Sequence, residues 1–595
     1  MTQLDISNIE YVVIIGYLVL IACVGIVFKK FSTDTDDYFK SGTKGTWWLV
    51  GSSAFMSAFS AWTFTGAAGV AFESGFSVMI IFLGNAFGFF LNFLFLGPWL
   101  RQMRVTTFPE AISKRFGEPT RMFYALYEVP VRILYSAMAL YGLGIFCSAV
   151  FGFNIYQVVL GCGIIVLFYS ATGGRWAVMA TDFLQGLILI PLTLLIAWLC
   201  LHELGGIGSM FEQIEAKGLS EDFSLINNSV LFGGAYTWGW AGAMVTKGFL
   251  VFNSMYAGPR YFSVKDGKEA RKAALFASFL FLVGGLVWFL PPITAKLLFA
   301  EQVMALDIRK PAEAAYAIVS INLLPVGLIG LIVVAILTAT MSTMDTGLNT
   351  NVAILIKDIY PKLASKFKWK PKKESELLRY GRAYTWLMGV FIILLALWLA
   401  KQEGKGIFEI MLDVGALLMS PIQIPLMWGL FIKRTPPWAA LLSIGCAFTV
   451  SAMAFIVSYM VAPEVPLTFL GFAPKAEWTF QMKFFGVLAA GSFGFLISTL
   501  FAPAKDSPHR TMVDAFITNM KTPIDFEEEV GEGNDLAQLK TIGYFGAVVS
   551  VFIALLLIIP NPPDGRLAIL ALALIIGSVS ALMIRAGSKA VPPKP

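Results

Sequence analysis

Long apolar runs separated by short polar loops follow one another along the whole chain. The hydrocarbon of a bilayer requires about 20 apolar residues for each helical crossing, and roughly fifteen such runs are present. They lie near 9–28, 47–71, 74–100, 120–151, 155–172, 178–202, 235–255, 273–299, 314–356, 380–400, 407–432, 437–462, 483–502, 541–560 and 566–585. The pattern predicts an all-α polytopic membrane protein with about 15 transmembrane helices.

Composition agrees with this reading, because 57% of the residues are hydrophobic, only 14% are charged and the mean hydropathy is +0.74. The first run is preceded by Asp5 and Glu10 rather than by basic residues, and it lacks a small-residue cleavage site. We therefore expect the first run to be a retained helix rather than a signal peptide.

Basic residues are concentrated in alternate loops, namely 29–46, 101–121, 256–272, 357–382, 503–540 and the C-terminal tail. Basic loops remain on the cytoplasmic side of a membrane. The pattern predicts a plasma (inner) membrane protein with its N-terminus outside, its C-terminus in the cytoplasm and an odd number of crossings. The net charge of +6 is explained by topology and does not indicate nucleic acid.

Signatures of soluble catalysis are lacking in the sequence, which has no Walker A motif and no protein-kinase motif. Its only histidines are His202 and His509. We predict a transporter rather than an enzyme, driven by an ion gradient rather than by bound ATP.

Two apolar runs contain helix-disrupting residues. The first, "GSSAFMSAFSAWTFTGAAG" (Gly51 to Gly69), suits either close helix packing or a broken helix whose free carbonyls bind a cation. In the second, "VFNSMYAGPRYF" (Val251 to Phe262), we expect Gly258 and Pro259 to end a helix. Two interrupted helices are what an inverted-repeat symporter requires.

A polar segment, "TATMSTMDTGLNTN", interrupts the apolar run near 327–356. Ala339, Ser342, Thr343 and Thr346 are spaced i, i+3, i+4 and i+7, so they share one helix face. The hydroxyls either bond back to the preceding turn or provide oxygen ligands for sodium. Asp182 is an ionisable group in another apolar run, where a carboxylate is costly unless it is paired or functional.

Six segments resemble, in order, blocks of the sodium:solute symporter family, which includes sodium/glucose, sodium/proline, sodium/sialic acid and sodium/iodide cotransporters. They are "DDYFKSGTKGTWWLVGSSAFMSAFSAWTFTG" (Asp36 to Gly66), "TFPEAISKRFG" (Thr107 to Gly117), "GGRWAVMATDFLQG" (Gly173 to Gly186), "GPRYFSVKDGKEARKA" (Gly258 to Ala273), "MSTMDTGLN" (Met341 to Asn349) and "SPIQIPLMWGLFIKRT" (Ser420 to Thr435). The resemblance covers about residues 10 to 500.

The resemblance implies a LeuT-like core of two inverted five-helix repeats, with one helix before it and several after it. Five regions follow: 1–46 holds the external N-terminus, the first helix and a cytoplasmic loop; 47–435 is the ten-helix transport core; 436–502 adds helices; 503–540 is a charged cytoplasmic linker; and 541–595 holds two final helices and a tail.

A sodium site is implied by the same resemblance, formed by the backbone carbonyls of Met56, Phe59 and Ala339 and the hydroxyls of Ser342 and Thr343. Thr181 and Asp182 match a second-cation site or release route of some members. Those members carry a hydroxyl where this chain has Ala339, so we expect one sodium ion, with Asp182 assisting its release. Asp345 is expected to support the site from an adjacent face.

Solute contacts are also carried over from the family. Ser60 and Thr63 match contact positions, Phe82 stands where sugar carriers have a carboxylate, and Asn253 matches one of their asparagines. Asp413 lies near a polar contact position, and Arg132 lies about one turn from the arginine of acid-binding relatives. Asn85 and Gln423 are further polar candidates, and each of these residues could instead bond a neighbouring helix.

The expected function is sodium-coupled import of a sugar, amino acid or organic acid by alternating access, by a monomer in a lipid bilayer. Two alternatives remain at this point. One is a proton-coupled symporter of the same fold, and the other is a sensor or receptor built on a transporter scaffold.

Overall fold

The fold is that of a computed structural model that describes residues 7–28, 45–56, 59–105, 107–170, 175–227, 235–306, 308, 310–369, 374–401, 406–457, 478–529, 531 and 535–588. Helices dominate these residues, and the β-structure among them is limited to isolated bridge residues, including the parallel bridge between Gly45 and Val264. The predicted all-α fold is confirmed.

The first part of the chain forms fourteen helices as far as the structure describes it. They are α1 (Asn8–Phe28), α2 (Trp47–Met56), α3 (Ala61–Phe64), α4 (Gly66–Ser74), α5 (Met79–Leu91), α6 (Gly97–Gln102), α7 (Phe108–Phe116), α8 (Glu118–Phe151), α9 (Ile155–Ser170), α10 (Arg175–Leu204), α11 (Ile207–Ala216), α12 (Trp238–Phe252), α13 (Gly258–Tyr261) and α14 (Gly267–Trp288).

The second part adds fourteen more in its described ranges. They are α15 (Leu290–Leu298), α16 (Ala300–Met304), α17 (Ala315–Leu323), α18 (Leu328–Ile354), α19 (Tyr360–Lys366), α20 (Glu374–Lys401), α21 (Ile407–Val414), α22 (Ser420–Phe431), α23 (Ala439–Phe455), α24 (Phe480–Ser498), α25 (Pro508–Lys521), α26 (Phe526–Glu529), α27 (Asp535–Leu555) and α28 (Pro563–Gly587).

Ten helical stretches among the described residues are long and apolar enough to cross a membrane. The longest, Ala61–Gln102, has 42 residues and contains α3 to α6, with Gly75 (φ 52°) between α4 and α5. Three shorter apolar helices, Asn8–Leu20, Ile155–Leu167 and Ala439–Phe455, accompany them. The chain is a multi-pass membrane protein, as the hydropathy pattern predicts.

The first expected interruption is present. Helix α2 ends at Met56 and α3 begins at Ala61, and between them Ser60 has extended backbone (φ −155°, ψ −177°). Residues 57 and 58 lie outside the described residues. Of the two readings of Gly51 to Gly69, the broken helix is confirmed, and its carbonyls near Phe59 are free of the helical ladder.

The second interruption lies five residues earlier than expected. Helix α12 ends at Phe252, and Asn253 and Ser254 form a bend. Gly258 and Pro259 begin the short helix α13 instead of ending α12, so that prediction is wrong. A proline is tolerated in the first turn of a helix because the missing N–H would have no partner there.

Two groups of helices make up the centre of the molecule. In one, α5 packs against α12 and α14, and α14 packs against α2. In the other, α8 packs against α9, α18 and α20, while α10 packs against α18. Glycine permits the closest contact in the first group, because a Cβ on Gly248 would lie 2.5 Å from the carbonyl oxygen of Gly84.

The first helix is attached to the start of α18. The carboxylate of Glu10 accepts hydrogen bonds from the amides of Gly327 and Gly330, the former at 2.6 Å. Both amides belong to the first turn of α18, where backbone N–H groups have no partner within the helix. Gly327 has φ 97°, a conformation that glycine adopts without strain. Glu10 therefore caps α18 from a different helix.

Part of the expected linker 503–540 is a docked helix. The apolar side of α25 buries Val513, Phe516, Ile517 and Met520. Just beyond it, the Arg104 guanidinium donates to both carboxylate oxygens of Glu529 at 2.8 Å. This segment is thereby held against the loop between α6 and α7.

Candidate functional site

A cluster of oxygen atoms lies where the break between α2 and α3 faces α18. The Thr343 hydroxyl is 3.2 Å from the carbonyl oxygen of Ala339 and 3.5 Å from that of Phe59. The first contact is the back-bond that threonine makes in a helix, and the second crosses to the broken helix. Phe59 and Ala339 are fully buried, so these oxygens are collected in the interior of the protein.

Asp182 extends the cluster to a third helix. Its carboxylate on α10 accepts one hydrogen bond from the Ser342 hydroxyl on α18. Its other oxygen accepts a second bond, at 2.6 Å, from the Ser53 hydroxyl on α2. Asp182 is fully buried and Ser342 nearly so. A buried carboxylate requires such partners, and here they join α2, α10 and α18.

Further bonds hold the two interrupted helices in place. The Arg260 guanidinium donates at 2.8 Å to the carbonyl oxygen of Ser53, and its charge interacts with that of Asp182. The amide of Ala61, at the start of α3, donates at 3.1 Å to the Thr340 hydroxyl on α18. Both halves of the broken helix are therefore bonded to the intact helices around them.

The cluster has the chemistry of an alkali-cation site. A hydroxyl that gives its hydrogen to a carbonyl or carboxylate keeps its oxygen lone pairs for a cation, and both Ser342 and Thr343 are used in this way. Hard cations prefer oxygen ligands. The described residues contain no group of three or more His, Cys, Asp or Glu side chains that could hold a metal ion.

The remaining residues expected at the ion site lie beside this cluster or outside the description. The carbonyl oxygen of Met56, at the end of α2, accepts a hydrogen bond from the Phe59 amide at 3.0 Å. Thr181 and Asp345 lie on α10 and α18, and their side chains are outside what the structure describes.

A cavity of about 340 Å³ adjoins the oxygen cluster. Ser53 and Thr343 line it on the side of the cluster. Its other walls come from α5, α8, the segment from α12 to α13, the π-helical segment Gly415–Met419 and α22. A cavity of this size accommodates a small organic molecule.

Two of the eight expected solute contacts line this cavity, Arg132 and Gln423. The Arg132 guanidinium already forms an ion pair at 2.7 Å with Glu128, which is fully buried. The Gln423 amide makes no hydrogen bond to the described residues and is only 2% exposed. The structure therefore places two of the eight predicted contacts in the cavity wall, and the other six do not line it.

Asn253 and Asp413 bond neighbouring helices. The Asn253 amide donates at 2.8 Å to the carbonyl oxygen of Gly88 on α5. Asp413 on α21 forms a buried ion pair at 2.7 Å with Lys483 on α24. In the structure these two side chains therefore connect helices.

The other four candidates lie on α5 (Phe82 and Asn85) and at the start of α3 (Ser60 and Thr63). Phe82 packs against Phe59, with ring centroids 5.6 Å apart. Thr63 is buried, and its hydroxyl has no hydrogen-bond partner among the described residues. Ser60 precedes α3 without a side-chain cap bond, and Asn85 lies on α5 at its close contact with α12.

Lys247 lines the cavity and was missed from the sequence. It is a single charge within the otherwise apolar helix "WGWAGAMVTKGFLVF". An ionisable residue in a membrane helix is by default a candidate for function. That signal was available in the sequence and would have identified Lys247.

The end of the bundle opposite α13 is closed by contacts between α3, α21 and the segment Pro311–Ala314. The amide of Ile407 donates at 2.8 Å to the carboxylate of Glu313. The rings of Trp62 and Phe408 are stacked with centroids 6.1 Å apart. None of these four residues lines the cavity.

A broken helix that faces hydroxyls on an intact helix, next to an internal cavity in a multi-pass bundle, defines an ion-coupled secondary transporter. The chain belongs to the sodium:solute symporter family, whose sequence model matches residues 38–445. Its activity is sodium-coupled solute symport, and sodium is the coupling ion.

Similar proteins with curated names agree with this assignment. The sodium/sialic acid symporter SiaT of Proteus mirabilis is 24% identical over 524 residues, which cover 84% of this chain and 97% of that protein. The sodium/glucose cotransporter of Vibrio parahaemolyticus is 25% identical, covering 74% and 83%. The human sodium/myo-inositol cotransporter is 25% identical, covering 78% and 68%.

Solved structures show the same fold. A substrate-bound, outward-open sodium-coupled sialic acid symporter superposes with a TM-score of 0.68 at 20% identity, covering 84% of this chain and all of that one. The transporter Mhp1 superposes with a TM-score of 0.50 at 14% identity, covering 81% and 99%. The LeuT-like fold is therefore confirmed.

Proposed function

We propose that the coupling sodium binds at the break between α2 and α3, between Thr343 and Ser342 on α18 and the carbonyls of Met56, Phe59 and Ala339. The observation that carries this is the position of the Thr343 hydroxyl, 3.2 Å from one backbone carbonyl on its own helix and 3.5 Å from another on the broken helix. Carbonyls freed by a break coordinate sodium without a full negative charge, so the ion can also leave.

Asp182 accompanies the site rather than supplying a second one. Its carboxylate holds the hydrogen of Ser342 and so turns the serine oxygen toward the ion. It also bonds Ser53, which lines the cavity, so it connects the ion cluster to the cavity wall. We assign Asp182, with Thr181 beside it in the chain and Asp345 on α18, to one release route for a single sodium ion.

The solute occupies the cavity of about 340 Å³ and is imported by alternating access. Thr343 touches both the ion cluster and the cavity, so each ligand affects the residue that binds the other. The named relatives carry sialic acid, glucose or myo-inositol, and a small polar organic solute of comparable size fits the cavity. Arg132 and Gln423 are the expected contacts that support this position.

The conformation fits a cytoplasm-facing state. With the N-terminus outside, α2 begins at the cytoplasmic surface, and the presence of Val50, Ser53 and Ser263 in the cavity wall supports a cavity that faces the cytoplasm. The Glu313 and Trp62 contacts then close the external side. We propose a plasma-membrane location and function as a monomer in the bilayer.

The test is sodium-dependent stability of the purified full-length protein, compared with potassium. Thr343→Ala should raise the sodium concentration for half-maximal stabilisation about tenfold, which corresponds to about 1.4 kcal/mol. Thr343→Ser keeps the hydroxyl and should stay close to the wild type. Thr193→Ala is the matched control, because the buried Thr193 hydroxyl bonds back to Leu189 within α10, about three turns from Asp182. Equal sodium dependence in Thr343→Ala and the wild type would refute the site.

A further inference from the structure

Lys247 lies in the cavity wall close to Gly415. It lies on α12, and its side chain passes against the backbone of Gly415 on the opposite wall. A Cβ added to Gly415 would lie 3.2 Å from the Lys247 Nζ and 3.8 Å from the Tyr135 hydroxyl. The ammonium group and the phenol therefore approach the same point, and Lys247 and Tyr135 both line the cavity.

The other charges around the cavity are already compensated. Arg132 pairs with Glu128 at 2.7 Å. Arg260 bonds the carbonyl of Ser53, and its charge interacts with that of Asp182. On the same side of the cavity as Gly415, Asp413 pairs with Lys483.

Lys247 has no carboxylate partner among the described residues. The Lys247 ammonium lies over the face of the Phe480 ring, and the distance from Nζ to the ring centroid is 5.9 Å. That distance is at the limit of a cation–π interaction. An uncompensated ammonium inside a membrane protein is costly, and such residues mark the paths of substrates or ions.

Neutral polar groups with unused hydrogen-bonding capacity accompany the ammonium. The Gln423 amide and the Tyr135 hydroxyl make no hydrogen bonds to the rest of the described chain, and both line the cavity. An ammonium, an amide and a phenol in the wall of one cavity provide several donors to a single ligand. A carboxylate has acceptor oxygens for such donors and supplies the missing negative charge.

We propose that the solute carries a carboxylate and that Lys247 is its counter-ion in the cavity. The transported compound is then a small organic anion, and Gln423 and Tyr135 donate hydrogen bonds to it. This inference rests on the proposed function, because it assigns the ligand of the same cavity. Neutral sugars, which have no group for the ammonium, leave the buried charge uncompensated and bind less tightly.

The experiment compares acids with neutral counterparts of nearly the same shape. Purified full-length protein in sodium buffer is heated with glucuronate or glucose, and with lactate or lactamide, at millimolar concentrations. A ligand that binds the folded state raises its Tm. We expect at least one acid to raise the Tm while its neutral counterpart does not. Equal shifts within both pairs, or no shift with either acid, would overturn the proposal.

Variants connect the effect to Lys247. Lys247→Met removes the charge and should weaken binding of the stabilising acid at least tenfold. Lys247→Arg keeps a positive charge and should retain part of the affinity for the acid. Gly415→Ala places a methyl group 3.2 Å from the ammonium and should weaken binding as well. Lys296→Met, which removes a lysine packed on the Phe72 ring away from the cavity, is the matched control. Unchanged acid binding in Lys247→Met would overturn the proposal.

Measurements of sodium-dependent stabilisation distinguish a failure of this inference from a failure of the proposed function. Lys247→Met should keep the sodium-dependent stabilisation of the wild type, which also reports that the variant is folded. If Thr343→Ala loses sodium affinity while Lys247→Met leaves acid binding unchanged, only the carboxylate assignment fails. If Thr343→Ala leaves sodium affinity unchanged, the ion site fails, and the comparison of acids with neutral compounds still decides the role of Lys247.

Discussion

The Ser342 hydroxyl on α18 donates a hydrogen bond to the carboxylate of Asp182 on α10, 160 residues away in the chain. The direction of this bond matters, because a serine that donates its hydrogen keeps its lone pairs for a cation. Asparagine at position 182 can present an N–H group to the serine oxygen and would remove the negative charge beside the proposed sodium site.

Asp182→Asn should therefore raise the sodium concentration for half-maximal stabilisation about tenfold, equal to about 1.4 kcal/mol. Sodium titration of Tm in the purified protein measures this. Asp506→Asn, at an exposed position between α24 and α25, is the control and should have no effect. A wild-type sodium response in Asp182→Asn would mean that the carboxylate acts only in helix packing.

Loss of the Glu313 carboxylate should open the end of the bundle opposite α13. Glu313→Ala removes the acceptor for the Ile407 amide and so weakens the hold on the start of α21. A cysteine placed at Phe408, in a background without other cysteines, should then react several-fold faster with a membrane-impermeant maleimide, because the Trp62 stack is released more often.

The control for this experiment is Glu301→Ala, on the exposed face of α16. It should not change the labelling rate at position 408. Equal rates in Glu313→Ala and the wild type would show that other contacts alone keep this end closed.

Removal of the charge at Glu10 should destabilise the protein. Its carboxylate accepts hydrogen bonds from two backbone amides at the start of α18. Each hydrogen bond to a charged group contributes about 1.5–3 kcal/mol to the free energy of unfolding. Glu10→Gln should lower Tm by several degrees in detergent. The exposed Glu73→Gln is the comparison, and a drop of the same size there would contradict a specific capping role.

Acid should weaken the docking of α25. Burial, the Arg115 charge and the Arg510 charge lower the pKa of His509 below its usual value of 6.5, although its bond to the Thr435 carbonyl acts in the opposite direction. Undocked His509 therefore binds a proton more readily than the docked form. Docking is strongest above pH 6.5 and is lost progressively as the pH falls through the lowered pKa.

Hydrogen exchange of the amides in α25 at pH 7.5 and pH 5.5, corrected for intrinsic exchange rates, measures this effect. Protection should decrease at the lower pH in the wild type, and His509→Gln should remove most of the difference. An unchanged pH dependence in His509→Gln would assign it to another group.

The elements that follow from local patterns could be predicted from the sequence. Apolar runs identified the membrane helices, and the clustered small and hydroxyl residues near Ser60 suited either a break or close helix packing. Helical spacing put Ser342 and Thr343 on one face of α18, and the family resemblance implied that this face meets the break. The second break was misplaced because Pro259 was taken as the end of a helix, whereas it lies in the first turn of α13.

Long-range partners could not be predicted in the same way. The pairing of Asp413 with Lys483 joins residues 70 positions apart, and the bond from Asn253 reaches back to Gly88. Which buried polar group meets which depends on helix rotation within the bundle, and no short sequence pattern encodes it. For the same reason Lys247 could be recognised as a charge in an apolar helix, but its lack of a partner required the fold.

The contact between α5 and α12 has a consequence for how the transporter moves. Gly84 and Gly248 bring the two backbones together, and two amides cross the seam in opposite directions, from Asn253 to Gly88 and from Asn92 to Phe252. Sliding or tilting of one helix against the other would break both bonds at once. The two helices should therefore rock as a single rigid body, and sodium at the broken helix would change the angle of that body rather than the shape of a loop.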